Sequence, residues 1–406
     1  MLTLLDDCPI GIDVLESPSS HVDLAELHRP LLHLLAGANL ASLARILSRR
    51  GALPPRSYMQ IAIILAGALL RWPGCMIETL RVARRVDAVS FDPPPVFIVG
   101  HWRSGTTLLH NLMSLDPAFC FPTIVDVLRP YDFYPNPLDF ITRRIVLRFI
   151  PRTRPMDDVR IDPESPQEEE LALATMGAPS FFNCIYFPRQ MTSVFAQEVL
   201  FAGVDDVTLR LWRGALRYYL QKLAALNPGR RLLLKNPAHS ARIPHLLALF
   251  PGAKFIHIHR DPSAVFHSMR KFYHRMLPIL AMQHYRPADI DGHILWAYPE
   301  VMGRLLDSLA ELPPGHAITV RYDELVADPV NTVERIYRDL NLGDFERVKC
   351  LVEAYADEHV HGMSPVPTLD HQMASRLALS WGPMYTRLGY PSLCAAQKPG
   401  DELRAG

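Results

Sequence analysis

The sequence has few cysteines, no excess of charge and no apolar run long enough to cross a bilayer. Its six cysteines (Cys8, Cys75, Cys120, Cys184, Cys350, Cys394) are scattered and never form a C-x-x-C pair. That excludes an obvious disulfide framework or zinc knuckle and suits reduced thiols in a cytoplasmic protein. Lysine and arginine total 42, aspartate and glutamate 42, for zero formal net charge. Nothing global therefore points to nucleic acid, and an anion site must come from local arginines. The opening MLTLLDDCP carries acids where a secretion leader carries lysines, so no leader is expected. Internal repeats and low-complexity blocks are also lacking. The apolar run Met59 to Leu70 is well short of the about 20 residues a spanning helix needs. It reads first as a buried helix; attachment at a membrane interface, with Arg71 and Trp72 at its edge, is the alternative.

What the chain does have is a phosphate-binding pattern at residues 95–117, PVFIVGHWRSGTTLLHNLMSLDP. Val96 to Val99 is a short β-branched and apolar run, the signature of a buried strand. Gly100 and Gly105 bracket a tight loop, and leucines 108, 109, 112 and 115 follow at helical spacing. A strand, a glycine-bracketed loop and a helix start present backbone N–H groups and the positive end of a helix dipole to an anion. Arg103, Ser104, Thr106 and Thr107 add side-chain donors. The spacing is that of a P-loop, but Thr106 stands where the P-loop lysine belongs, and the cation lies earlier, at Arg103.

Residues 1–90 read as an N-terminal helical region: a helix over 21–48, a second over the apolar run, and a third, basic one over 75–86. Phe91 to Pro95 is a stiff extended lead-in. Beyond the loop helix, residues 119–160 are rich in proline, arginine and aromatics, with one helix near 138–149. Ser165-Pro166-Gln167-Glu168-Glu169-Glu170 opens a helix through Met176. Glu168 is a candidate base for a hydroxyl acceptor, although Ser165 and Glu168 also fit a capping box with Pro166 at N1. After a helix over 209–226, the short strand 232–234 delivers Lys235 and, in Asn236-Pro237-Ala238-His239, a second candidate base, His239. Lys235 is suited to charge growing on a leaving oxygen at the ligand end of a parallel sheet.

The next strand, 254–259, puts His257 and His259 on one face. No third ligand has matching spacing, so ordinary strand histidines are expected. That strand ends in Arg260-Asp261-Pro262, with Asp261 capping a helix that carries Ser268 about two turns on. A strand-end guanidinium and a helix hydroxyl make a sensible phosphate clamp. A helix over 329–340 follows, and a flexible tail is expected from 391 onward. The aromatics of 119–134, with Phe181, Phe182 and Tyr186, fit either an apolar acceptor pocket or core, with core slightly favoured.

Two of these segments together resemble the PAPS-dependent sulfotransferases, in their bacterial branch. R-S-G-T-T after a strand is similar to the family's 5′-phosphosulfate loop, and R-D-P-x5-S-M, Arg260 to Met269, to its 3′-phosphate motif. R-Y-D-E-L, Arg321 to Leu325, echoes a third element, in which Tyr322 would lie near the adenine. The R-K-G element with which cytosolic members cover the 3′-phosphate has no clean copy. The resemblance covers about residues 95–340. It implies an α/β fold, a P-loop-like three-layer sandwich with a central parallel sheet, over residues 91–390. It also implies in-line sulfuryl transfer from PAPS (3′-phosphoadenosine 5′-phosphosulfate) to a hydroxyl, or less readily an amine, of a small-molecule, lipid or carbohydrate acceptor. Arg103, Ser104, Gly105, Thr106 and Thr107 would hold the 5′ end, Arg260 and Ser268 the 3′-phosphate, and Lys235 the leaving PAP. No metal is expected, since arginine and lysine take magnesium's place. The rival readings are a P-loop kinase and a catalytically inactive nucleotide-binding partner protein.

Overall fold

The computed structural model describes residues 33–391, apart from 49–50, 52, 87–88, 136, 138, 151–161, 288, 361 and 363–367. The flexible tail and the first part of the 21–48 helix lie outside the described residues. Five strands, β1 Val96–Val99, β2 Phe119–Cys120, β3 Arg231–Lys235, β4 Lys254–His259 and β5 Ala317–Arg321, form one sheet in the order β2-β3-β1-β4-β5. Every pairing is parallel: Val96 opposes Leu233 on one side and Lys254 on the other, and Phe255 opposes Ala317. The short all-apolar run of β1 suits its central place, buried on both faces.

Alternation along the strands splits the core in two. Val96, Ile98, Leu233, Ile256, Ile258 and Val320 face one side. There they meet α3 (Thr106–Met113), α14 (Pro329–Leu340) and α15 (Lys349–His359). Phe97, Val99, Leu232, Leu234 and Phe255 face the other. That layer holds α1 (Leu40–Ser48), α2 (Tyr58–Val86), α6 (Glu170–Thr175), α7 (Phe182–Tyr186), α8 (Met191–Glu198), α9 (Asp206–Leu226), α10 (Ile243–Leu249), α11 (Pro262–Leu280), α12 (Asp289–Ala310) and α16 (His371–Arg387). Of the three remaining helices, α4 (Ile124–Leu128) adds Val127 to this layer, α13 (Tyr322–Ala327) adds Leu325 to the other, and α5 (Asp139–Phe149) follows α4. The result is the expected sandwich of helices on both faces of a parallel sheet.

Three sequence readings are corrected. The second and third N-terminal helices are one continuous helix, α2, with Pro73 inside it. Its apolar run is not buried: the helix is long and apolar enough by length and composition to cross a membrane, and 17% of its most apolar stretch lies inside the protein. The expected capping box also fails. Ser165 precedes a bridge between Pro166 and Thr123, and α6 begins at Glu170 without a side-chain cap.

Of the aromatic set, Phe119, Phe133, Phe181 and Tyr186 are buried, whereas Phe121, Tyr131, Tyr134 and Phe182 are half-buried.

Candidate functional site

The C-terminal ends of β1, β3, β4 and β5 bring the sequence motifs to one edge of the sheet, at the point where strand order reverses around β1. The loop after β1 needs both of its glycines. Gly100 has φ +148°, and a Cβ there would lie 2.2 Å from the Ile258 carbonyl oxygen. Gly105, the N-cap of α3, has φ +99°, and a Cβ there would lie 2.2 Å from Cδ2 of Tyr322. Between them Arg103 also takes a positive φ of 69°, and Ser104 Oγ donates to the carbonyls of His101 (2.7 Å) and Ile258 (3.0 Å). Ser104 therefore fastens the loop to β4 instead of pointing at a ligand. The N–H groups at the start of α3 remain available to an anion, with Arg103 and Thr107 in the same loop and first turn. Gly105→Ala is expected to cost about 1–3 kcal/mol from backbone strain, and to force Tyr322 aside as well. Thermal unfolding checks this; a midpoint equal to wild type would contradict it.

The two phosphate motifs meet in space. Arg103 Nε donates to Ser268 Oγ at 2.9 Å, so residues from the β1 loop and α11 share one patch. Arg260 lies at the end of β4 with its guanidinium 4.5 Å above the Tyr322 ring, in cation–π geometry. Its Nε is buried and has no hydrogen-bond partner among the described residues. The Tyr322 ring, held between Gly105 and Arg260, thus ties the third motif to the other two. An unsatisfied buried guanidinium nitrogen beside a hydroxyl and a glycine-lined loop fits a phosphorylated nucleotide.

The segment from Glu168 to Glu170 faces the end of β3, with one partner set per glutamate. Lys235 Nζ donates to Glu168 Oε1, and lies 3.4 Å from Thr107 Oγ1. Glu169 Oε1 is 2.7 Å from His239 Nε2 and accepts from Asn236 at 3.1 Å. Glu170 accepts from Asn236 (2.8 Å), from the Phe181 backbone N–H (2.7 Å) and from Arg242 (3.0 and 3.3 Å). Burial alone would raise the Glu170 pKa. The charge of Arg242, then that of His239, and the hydrogen bonds from Asn236 and Arg242 outweigh it and hold the carboxyl below its ordinary value.

Exposure separates the candidate bases. His239 and Glu169 have fully buried side chains, and His239 is packed edge-on to Phe97 and Trp212. Glu170 is sealed likewise, whereas the Glu168 side chain is 24% exposed beside a Lys235 that is nearly buried. Of the expected bases, Glu168 is the one an acceptor can reach. His257 and His259 turn out to be strand residues, 3.3 Å from the Thr319 hydroxyl and 3.1 Å from that of Tyr390. Burial lowers their pKa values to about 3 and about 4.

Sequence reasoning missed three supporting residues. Ser240 Oγ accepts from the Gly100 N–H (2.8 Å) and donates to its carbonyl (3.0 Å), joining the β3 loop to the β1 loop. Asn236 and Arg242 pin the glutamates. The available signal is chemical: three adjacent glutamates need counter-charge, and Arg242 is a lone cation directly before the apolar start of α10.

Comparison with known proteins gives the family and the fold. A family model described as "Sulfotransferase family" matches residues 94–346. The chain is 29% identical over 359 residues to the omega-hydroxy-beta-dihydromenaquinone-9 sulfotransferase Stf3 of Mycobacterium tuberculosis (strain CDC 1551 / Oshkosh), covering 88% of this chain and 91% of that one. The fold is similar to the crystal structure of sulfotransferase STF9 from Mycobacterium avium, with a TM-score of 0.65 at 17% identity over 86% of this chain and 90% of that chain. It is also similar to STF1 from Mycobacterium tuberculosis H37Rv, with a TM-score of 0.58 at 19% identity over 83% and 91%.

Proposed function

The chain belongs to the sulfotransferase family, and from that premise we propose that it moves the sulfuryl group of PAPS to a hydroxyl on a lipid-like acceptor. The observation that carries the donor assignment is the joined clamp: Arg103 bonded to Ser268, with the half-buried Arg260 over Tyr322 and its buried Nε without a hydrogen-bond partner among the described residues. A 3′-phosphate distinguishes PAPS and PAP from ATP and ADP; Arg260 at the end of β4 and Ser268 on α11 would take it, with Arg103 joining them to the β1 loop that would take the 5′ phosphosulfate. The adenine would lie near Tyr322. A quinone-derived acceptor class is supported by the relative named for a hydroxylated dihydromenaquinone.

In the proposed reaction the acceptor oxygen attacks sulfur in line with the sulfur–oxygen bond to the 5′-phosphate. The hydroxyl proton passes to Glu168 as the new O–S bond forms, and the old S–O bond breaks with its electron pair staying on the phosphate of PAP. Lys235, against Thr107 at the start of α3, lies on the path of that growing negative charge and would stabilise it. Glu168 and Lys235 touch in the structure, so base and leaving-group cation sit side by side.

A thermal-shift titration with PAP, ADP and ATP tests the donor. A ligand at a hundredfold excess over Kd stabilises the folded state by about 2.7 kcal/mol. PAP is expected to raise the melting temperature well above the other two, and Arg260→Ala to abolish that preference. A stronger response to ATP, or an undiminished PAP response in the variant, would return the site to a kinase-like reading.

A further inference from the structure

Helix α2 is built the wrong way round for water. Between Tyr58 and Leu80 it carries two charged residues, Arg71 and Glu78, and both point into the protein. Arg71 bonds Asp132 and the Ala36 carbonyl. Glu78 pairs with Lys222, with both side chains fully buried, and accepts from the Tyr134 backbone N–H at 2.7 Å. The outward face is Tyr58, Met59, Leu65, Leu69, Leu70, Trp72, Met76 and Leu80, with Leu70 71% and Leu80 78% exposed. At 100° per residue these positions share one side of the helix. A surface helix normally shows the opposite arrangement, and an exposed apolar face of this extent marks an interaction site.

A second element stands next to it. Arg129 bridges Asp132, the partner of Arg71, to Asp139 at the start of α5. On α5, Phe140 (72% exposed), Ile141, Ile145 and Leu147 are exposed, together with Arg144 and Arg148, which have no ion pair among the described residues. Exposed aromatics and aliphatics interleaved with arginine are the composition of a helix lying in a lipid interface. Tyr58 and Trp72 on α2 suit the same depth.

We propose that α2 and α5 form a docking surface for a bilayer carrying anionic lipids, with α2 lying along the membrane. The helix does not cross the bilayer: its inner face is bonded to the rest of the protein at both Arg71 and Glu78. At about 1.5 Å per residue, the stretch from Tyr58 to Leu80 gives a contact roughly 34 Å long. A second copy of the chain is the competing occupant. A two-fold dimer would set this face against itself, arginine rim on arginine rim, whereas phosphate headgroups complement those charges. The inference is independent of the donor assignment, because binding is read without turnover.

The test is flotation of the full chain with vesicles of phosphatidylcholine, with and without phosphatidylglycerol. Wild type is expected to float, most strongly with the anionic vesicles. Leu70→Glu with Leu80→Glu should lower partitioning by roughly tenfold or more per leucine without moving the melting temperature, since both side chains are already exposed. Arg144→Glu with Arg148→Glu should lose the anionic preference, about fivefold per arginine. Wild type that stays at the bottom of the gradient overturns the proposal, as does a leucine variant that floats like wild type. A dimer in light scattering that the leucine substitutions break, with no vesicle binding, assigns the face to a second copy instead.

Discussion

Lys235→Met is expected to lower sulfuryl transfer by about 10²–10³-fold, the usual effect of removing one preorganised group that meets developing charge. The loss should be the same for every acceptor, because Lys235 acts on the phosphate oxygen that leaves, and that oxygen belongs to the donor. Glu168→Gln should behave differently. Its carboxylate takes the acceptor's proton, worth about 10²–10⁴-fold when the proton is tightly held. The deficit should be large with an aliphatic alcohol and should shrink with an acidic phenol that ionises unaided. Comparing PAP release for the two variants with both acceptors separates the roles. A Glu168→Gln deficit independent of acceptor acidity would remove the base assignment. A Lys235→Met enzyme within a few-fold of wild type would remove the leaving-group one. Both variants should melt near wild type, since the Glu168 side chain retains solvent contact.

The second large effect concerns stability. Glu170→Ala leaves the buried Arg242 guanidinium with the carbonyls of Glu198 (2.5 Å) and Val199 (3.2 Å) and the rings of Phe201 and Trp212 but no counter-charge from Glu170, and strands the Phe181 N–H. Breaking a buried pair from one side costs about 3–5 kcal/mol. With about 2.1 cal/mol/K of unfolding entropy per residue, that lowers the melting temperature of a chain this size by roughly 4–6 °C. Replacing both partners, Glu170→Leu with Arg242→Met, should recover much of the loss, because no charge is then left unpaired. The sign of the pH dependence follows from the depressed carboxyl. The stability contributed by ionised Glu170 is complete above its ordinary value of 4.5. It is lost as pH falls from there through the lower folded value. Calorimetry of wild type and Glu170→Ala across that range should show the two melting curves converging in acid. A gap that persists unchanged at low pH would mean the carboxylate's charge is not what matters.

How far the sequence could be read depends on where the determining contacts lie. The strands 96–99, 254–259 and 317–321 are short apolar or β-branched runs followed directly by glycine, arginine–aspartate–proline or tyrosine, so type and polarity were both visible locally. The loop was legible because Gly100 and Gly105 are required by contacts with Ile258 and Tyr322 that no other residue tolerates. Two failures share a cause. The Ser165–Glu168 pattern satisfies a local capping rule, yet all three glutamates are taken by partners on or just after β3, more than sixty residues away in sequence. Met59 to Leu70 looks like core because it is apolar, and only the tertiary partners Asp132 and Lys222 reveal which face is turned inward. Residues 289–310 carry no clear local helix signal, although they form the 22-residue α12. Pro299 inside it breaks the local signal that packing restores.

The strand order also sets a timetable for synthesis. The central strand β1 has no partner until the chain has been made through Leu233 on one side and Lys254 on the other. At about 5–20 residues per second that wait is on the order of ten seconds, and such long-range parallel pairing is intrinsically slow. Helix α2 leaves the ribosome well before then, and its inward cation partner, Lys222, is made much later. For that interval the nascent chain displays an apolar helix with an unpaired glutamate and no sheet to pack on. An early surface that shelters α2 would therefore act as a chaperone for the whole catalytic fold.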